Sequence, residues 1–173
     1  MTAFEIRRLR EEEIAALEAS IPVWNSTEYA KRSAAQRRGE LVQLVAWDSA
    51  GRSVGKAMLL FPGYEEYSTS AARERCAEIR DVGVVEDARR RGVATALIAA
   101  MEAEAVAGGM SRIGLTVAQG EEDAPARALY AKNGYRFAHG PFITSTNLRA
   151  DDGTPIPVGA VMTYLVRDLV APV

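Results

Sequence analysis

The chain has 173 residues, of which 48% are hydrophobic and 25% are charged. This composition is typical of a soluble globular domain, and the length suits a single domain over residues 1–173. It excludes a disordered chain, a collagen-like fibre and a disulfide-stapled miniprotein. The 21 basic and 23 acidic residues leave a net charge of −2, so no basic excess indicates nucleic acid as a partner.

The hydrophobic pattern predicts strands and helices that alternate along the chain. In chain order we expect a strand over 4–9, helices over 11–19 and 26–38, strands over 41–47 and 54–61, a loop over 62–75, a strand over 77–85, a helix over 89–107, a strand over 113–117, a helix over 123–133, a strand over 135–138, an irregular segment over 140–158 with a turn at 151–153, and a strand over 161–169. The order β-α-α-β-β-β-α-β-α-β-β predicts a mixed α/β fold. It contains a hairpin around the turn at 48–52 and a parallel strand pair within 77–117.

The chain has one cysteine, Cys76, and one histidine, His139. They are too few for an internal disulfide or for a zinc site of four cysteine and histidine ligands, and we expect no metal. No G-x-S-x-G sequence accompanies the histidine, which argues against a serine hydrolase. No apolar run approaches the roughly 18 residues that a membrane span requires, and residues 1–13 lack the apolar core of a signal peptide. We therefore expect a cytoplasmic protein without a membrane partner.

The segment over 82–95 carries the clearest chemical signal. A strand leads into three consecutive arginines, Arg89 to Arg91, and then into a helix that begins with the small residues Gly92 and Ala94. The free amide groups and the dipole at a helix start favour anions, so this segment predicts a phosphate or pyrophosphate site. The alternative is a solvated basic loop. Neither a P-loop nor a G-x-G-x-x-G fingerprint is present, and the apolar stripe of the helix argues against DNA recognition.

Two sequence blocks resemble the signatures of the GNAT superfamily of acetyl-CoA-dependent N-acetyltransferases. The first, Arg89-x-x-Gly92-x-Ala94, is similar to the family's acetyl-CoA motif. The second is the segment Ala126-x-x-Leu129-Tyr130-x-Lys132-x-Gly134-Tyr135. One helix and one strand separate the blocks, as in that family. The resemblance implies a GNAT-like acyl-CoA N-acyltransferase fold, an acetyltransferase activity and acetyl-CoA as co-substrate.

The resemblance also implies which residues contact the cofactor. The backbone of the strand around Val82 and Val84 would pair with the pantetheine arm, and the turn that follows would hold the pyrophosphate. The turn residues are Arg89, Arg90, Arg91, Gly92, Val93, Ala94 and Thr95. At Asp123 the family usually has an asparagine that contacts the cofactor, so this chain departs from the pattern there.

Tyr130 occupies the position of the family's general acid, which would protonate the departing thiolate. The alternative is a core tyrosine on the buried side of its helix. The position where some relatives carry a basic glutamate is Ala118, so we expect a strand carboxylate, Glu78 or Asp81, to take the amine's proton through water. Because they are three positions apart, an odd distance, we expect these two on opposite strand faces. A salt bridge to Arg80 or Arg136 is the structural alternative, and His139 is a further candidate base.

The acceptor is expected to be a primary amine of a small molecule, because aromatic and acidic side chains suit a cationic amine. The candidate contacts are Trp24, Tyr29, Tyr64 and Phe142, with the segment 140–158 as a lid. Two alternative functions stay open: acetylation of a protein N-terminus or lysine, and a CoA-binding module without turnover. Assembly as a homodimer also stays open.

Overall fold

The computed structural model describes residues 4–23, 27–149 and 154–169. The strands are β1 (Phe4–Arg8), β2 (Leu41–Asp48), β3 (Ser53–Leu60), β4 (Ala77–Val84), β5 (Arg112–Ala118), β6 (Arg136–Arg149) and β7 (Pro155–Asp168). The helices are α1 (Ile14–Ser20), α2 (Glu28–Arg37), α3 (Thr69–Glu74), α4 (Val93–Ala107) and α5 (Ala124–Lys132). None of the helices in these described ranges is long and apolar enough to cross a membrane.

The seven strands form one mixed sheet in the order β1-β2-β3-β4-β5-β7-β6. Strands β2 and β3 form the predicted hairpin, and β4 and β5 form the predicted parallel pair, with α4 connecting them. The other neighbouring strands are antiparallel. The α/β fold class expected from the sequence is therefore confirmed.

Strand β2 divides its side chains between two hydrophobic clusters on opposite faces of the sheet. Val42, Leu44 and Ala46 belong to the cluster that includes α4, whereas Val45 and Trp47 pack with residues of α1 and α2. This alternation follows the period of two residues in a strand. Helices cover both faces of the sheet, which is why all but the last residue of β2 are buried.

Helix α4 is the centre of the larger cluster. Its buried side chains recur at about every fourth position: Val93, Leu97, Ile98, Met101 and Ala105. Each large aliphatic side chain buried in this way contributes about 1.5–3 kcal/mol. The helix approaches the sheet closely over β3, where a Cβ added to Gly55 would lie 2.8 Å from Val93 Cγ1.

Two expected irregular segments are in fact ordered. The loop expected over 62–75 contains α3, whose first turn is capped by the Ser68 hydroxyl. The segment over 140–158 was expected to be a lid, but its described residues belong to the long β6–β7 hairpin, of which β6 is an edge strand of the sheet. The turn expected at 151–153 lies outside the described residues.

Strands β4 and β5 separate soon after they begin. Their pairing covers only the three positions from Ala77 to Ile79, which face the positions from Ile113 to Leu115. Beyond this point the edge of β4 that faces β5 has no ladder partner among the described strands, so its backbone groups are available to a ligand.

A bulge in β4 redirects the carboxylate nearest this opening. The register between β3 and β4 shifts between Lys56 and Met58, and Asp81 has a φ of 55°. The expectation that the two carboxylates occupy opposite faces is wrong for this reason. Glu78 lies opposite Leu60, on the face that α2 covers, and Asp81 is hydrogen-bonded to a side chain of α2. Bulges are common next to functional sites, where they re-aim a side chain.

Candidate functional site

The arginine turn and the starts of two helices enclose a cavity of about 260 Å³. Seven of the predicted cofactor residues line it, together with one further residue of the turn and two residues of α5. The lining residues are Val84, Ala88, Arg89, Arg90, Gly92, Val93, Ala94, Thr95, Pro125 and Leu129. The cavity lies at the end of β4, beyond the positions at which β4 pairs with β5. The predicted phosphate turn and the unpaired strand edge therefore meet.

The backbone of the turn has the conformation that exposes the helix start. Gly92 caps α4 with a φ of 83°, and no side chain occupies the space where its Cβ would lie. In the first backbone hydrogen bond of α4, the Ala96 amide donates to the Gly92 carbonyl. The amides before Ala96 therefore have no partner within the helix. Arg90 also has a positive φ of 60°, which costs a non-glycine residue about 1–2 kcal/mol. Such strain is typical of a segment shaped for a ligand.

Not every residue expected at the cofactor site lines this cavity. Val82 packs partly buried against the main core, Arg91 is not among the lining residues, and Asp123 caps α5 without a side-chain hydrogen bond. Ala88 and Pro125 line the cavity but were not predicted from the sequence. No motif position marks these two residues, and they reach the cavity only because the turn and α5 fold against each other.

Tyr130 follows the lining residue Leu129 on α5 and is 9% exposed. Its ring packs edge-on against Tyr135 at a centroid distance of 5.8 Å. Burial raises the pKa of the Tyr130 phenol, so the hydroxyl keeps its proton at neutral pH. Within the described ranges no group accepts a hydrogen bond from this hydroxyl. The arrangement agrees with both interpretations of this residue, a core tyrosine and a proton donor.

Asp81 lies between two cations. Arg32 Nη1 donates to Asp81 Oδ2 at 2.6 Å, and the Lys56 ammonium donates to the same oxygen. Burial opposes the charge on Asp81, but the two cations outweigh it, and the pKa of the carboxyl is lowered. A carboxylate with a lowered pKa and two cationic partners is a weak proton acceptor. We therefore assign Asp81 to anchoring the bulge rather than to base catalysis.

Glu78 is fully buried and also has its partners. Its two oxygens accept from the backbone amide and the hydroxyl of Ser68, at 3.1 and 2.7 Å. Arg80 Nε lies 3.6 Å from the same carboxylate, which is one of the two salt bridges named as structural alternatives. The other, with Arg136, is not formed, since Arg136 pairs with Asp168.

A second cavity, of about 670 Å³, lies on the sheet face opposite α4. Arg80 and Thr116 contribute to its wall, and they are the residues directly after the last paired positions of β4 and β5. Hydroxyl groups from α3 and β6 form much of the remaining wall, together with His139, Phe142 and Met162. The second cavity thus opens at the point where the two strands separate.

Of the four expected acceptor contacts, only Phe142 lines this cavity. Tyr29 is a core residue without exposed surface, and its hydroxyl donates to the Ile21 carbonyl at 2.9 Å. Tyr64 is buried in a separate cluster under α2. Both expectations are corrected because these rings are used in packing the helices on the sheet. Trp24 lies outside the described residues.

Comparison with known proteins agrees with this geometry. The sequence model of the Acetyltransferase (GNAT) family matches residues 6–135. No curated protein matches the chain significantly.

Solved structures share the fold over almost the whole chain. An N-acetyltransferase from Staphylococcus aureus Mu50 has a TM-score of 0.69 at 17% identity and covers 96% of this chain and 99% of its own. A ribosomal-protein-alanine N-acetyltransferase from Brucella melitensis has a TM-score of 0.68 at 19% identity, covering 95% and 99%. The protein yncA from Salmonella typhimurium, solved with its cofactor acetyl-CoA, has a TM-score of 0.66 at 18% identity, covering 97% and 95%.

Proposed function

The chain belongs to the GNAT acetyltransferase family, and from this membership we propose that it moves an acetyl group from acetyl-CoA to a primary amine of a small molecule by direct attack. The observation that carries the proposal is the position of the two cavities. One lies at the anion-binding turn after β4, and the other lies where β4 and β5 separate. A donor and an acceptor bound in them would meet at the unpaired edge of β4.

The residues of the turn fit the pyrophosphate of acetyl-CoA. Arg89 and Arg90 supply positive charge, the open space at Gly92 allows close approach, and the first amides of α4 can donate to phosphate oxygens. The backbone of β4 near Val82 and Val84 can pair with the amides of the pantetheine arm. When bound, acetyl-CoA supplies the thioester whose acetyl group is transferred.

Tyr130 supplies the proton donor in this proposal. Its raised pKa keeps the hydroxyl protonated, and the absence of a hydrogen-bond acceptor for it in the described part of the chain leaves the hydroxyl free to donate to a departing thiolate. Backbone N–H groups on the unpaired edge of β4 can donate to the carbonyl oxygen as negative charge develops on it.

The second cavity supports a small amine as acceptor. Its volume is in the range of small-molecule sites, and its wall combines the aromatic ring of Phe142 with several hydroxyl groups. Hydroxyl oxygens can accept hydrogen bonds from an ammonium group. Neither Glu78 nor Asp81 lines this cavity, so the proposal assigns the amine's proton to another group, considered below.

A second candidate is the N-terminal amine of a protein. Structural relatives include ribosomal-protein-alanine N-acetyltransferases from Brucella melitensis and Escherichia coli. The described residues of 140–158 extend the sheet, and those that reach the cavity form part of its wall and not a separate lid, which favours access by a peptide. A third alternative, CoA binding without turnover, is distinguished by the same experiment.

The experiment follows the release of the CoA thiol from acetyl-CoA with two acceptor panels, one of small primary amines and one of short peptides with free N-termini. Mass spectrometry of the acceptor identifies the acetylated product. We expect turnover with at least one small amine and none with the peptides. Turnover with peptides only would favour the second candidate, and saturable acetyl-CoA binding without turnover on either panel would contradict catalysis.

A further inference from the structure

The single histidine lies in the wall of the second cavity with a serine and a glutamate beside it. His139 Nε2 is 3.0 Å from Ser70 Oγ, and His139 Nδ1 is 3.4 Å from Glu74 Oε1. The second separation is an ion-pair contact without the geometry of a hydrogen bond. Both Ser70 and His139 line the cavity, whereas Glu74 does not. We propose that this array, Ser70–His139–Glu74, accepts the proton of the acceptor amine.

The surroundings of the ring fix its orientation. His139 stacks against Tyr164, at a centroid distance of 5.2 Å, and against Phe142, at 5.8 Å. These contacts restrict rotation of the imidazole, whose Nε2 lies near Ser70 and whose Nδ1 lies near Glu74. A histidine that only ended a turn would have no such support.

The partners also select the tautomer of the neutral ring. The Glu74 carboxylate is negative and lies nearer Nδ1, so its electrostatic attraction favours a proton on His139 Nδ1. Nε2 is then unprotonated and can accept from the Ser70 hydroxyl. This is the state that a proton acceptor requires on its cavity side.

The charged and titratable groups around the ring come from four elements. They are Glu74 of α3, Arg112 of β5, which pairs with Glu74 at 3.4 Å, Tyr164 of β7 and, in the cavity wall, Arg80 of β4. The Tyr164 hydroxyl lies 3.4 Å from the thiol of Cys76. Burial raises the pKa of both, that of Cys76 to about 11, so neither changes its charge near neutral pH.

The proposal rests on the acetyltransferase function proposed above, and its chemical step is balanced. The ammonium proton passes to Ser70 Oγ while the Ser70 hydroxyl proton passes to His139 Nε2. The amine nitrogen forms its bond to the acetyl carbon, and the carbon–sulfur bond breaks with its electron pair on sulfur. The thiolate takes a proton from the Tyr130 hydroxyl, and the resulting Tyr130 phenolate takes the second proton of the nitrogen, which leaves a neutral amide. Ser70 and Tyr130 end the step unchanged, and His139 carries the other proton that the amine lost.

The test compares His139→Gln with wild type on two acceptors, an alkylamine and an aryl amine that is already unprotonated at neutral pH. For the alkylamine we expect kcat/KM at pH 7 to fall by about 10²-fold or more. The deficit should narrow as the pH approaches the alkylamine pKa of about 10, because the amine then loses its proton unaided. The aryl amine should show little change, and Glu74→Gln should show the same pattern with a smaller deficit.

Three results, two kinetic and one chemical, would overturn the proposal. The first is an equal loss with both acceptors at every pH, which indicates a structural role. The second is that Glu78→Gln, and not His139→Gln, gives the pH-dependent deficit. The third is an acetylated Ser70, detected by mass spectrometry after incubation with acetyl-CoA, which would make the serine a nucleophile instead of a relay.

A measurement without turnover tests the array separately from the proposed function. Because the chain has one histidine, ¹⁵N-histidine labelling gives the signals of a single ring. We expect a protonated Nδ1 and an unprotonated Nε2 in the neutral ring, and the opposite tautomer would contradict the proposal. Failure of wild type to acetylate any acceptor would instead contradict the proposed function and leave this result standing.

Discussion

Gly55 lies where α4 comes closest to the sheet, and the substitution Gly55→Ala tests that packing directly. The added Cβ would lie 2.8 Å from Val93 Cγ1, 3.2 Å from Leu97 Cδ1 and 3.2 Å from the carbonyl oxygen of Gly83. Overpacking of this kind costs about 1–3 kcal/mol. Replacing a strand glycine with alanine returns about 0.4–1 kcal/mol by restricting the unfolded chain. The expected net loss is about 1–2 kcal/mol of unfolding free energy.

The matched control is Gly83→Ala on the neighbouring strand. Its added Cβ would lie 3.7 Å from Lys56 Cε and 3.9 Å from Lys56 Cγ, which are ordinary contacts. In a protein of this length the Gly55→Ala loss corresponds to a fall in Tm of about 2–8 °C. Urea denaturation and calorimetry measure both quantities. Equal stability of the two variants would refute the reasoning that α4 is held against the sheet at Gly55.

Two further predictions concern side chains of the site. Tyr130→Phe should lower turnover, measured by thiol release, by about 10²-fold. Acetyl-CoA affinity, measured by titration calorimetry, should change little. Unchanged turnover would remove the hydroxyl from the mechanism. Asp81→Asn should lower the unfolding free energy at neutral pH by about 1–3 kcal/mol, because Lys56 and Arg32 each lose the negative charge with which they pair. The partial exposure of Asp81 keeps this loss below that of a fully buried ion pair. Since the folded-state pKa of Asp81 is lowered, its contribution is present above the unfolded-state value and is lost as the pH falls below about 4, so the two proteins should converge there in acid denaturation series.

The parts of the fold that sequence predicted are those with strong local signals. Helix α4 has an apolar stripe of four turns, and the β2–β3 hairpin has two apolar runs around a turn. Helix α3 has six residues and one buried side chain, Ala71, so it shows no periodic pattern. Its stability comes from tertiary contacts, such as the Ser68 hydroxyl bound to Glu78, that a local reading does not reveal.

The long hairpin was missed for a different reason. Gly140 and Pro141 normally end a strand, but β6 is an edge strand, where a proline without an amide hydrogen is tolerated. Exposed apolar residues such as Ile143 and Val161 further obscure the alternation of inward and outward side chains. A strand with no clear alternation and a proline is predicted as irregular from local rules alone.

The candidate site likewise has one part that the sequence predicts and one that only the folded chain reveals. The turn over 89–95 is contiguous, so a motif could identify it. The array of Ser70, Glu74 and His139 joins α3 to β6. Its shortest contact links Ser70 to His139, which are 69 residues apart in the sequence, and only the folded sheet brings them together. The bulge at Asp81 also changed the outcome, because regular strand geometry predicts the wrong face for that carboxylate.

The most direct test of the account is calorimetric titration of acetyl-CoA into wild type and the pair Gly92→Ala and Gly92→Glu. Both variants place an L-residue at a φ of 83°, so they share the backbone strain, but only glutamate adds negative charge where phosphate would bind. We expect saturable binding at one site per chain, a modest loss with alanine and a far larger loss with glutamate. Equal affinity in the two variants, or no saturable binding to wild type, would contradict the assignment of this turn to the cofactor.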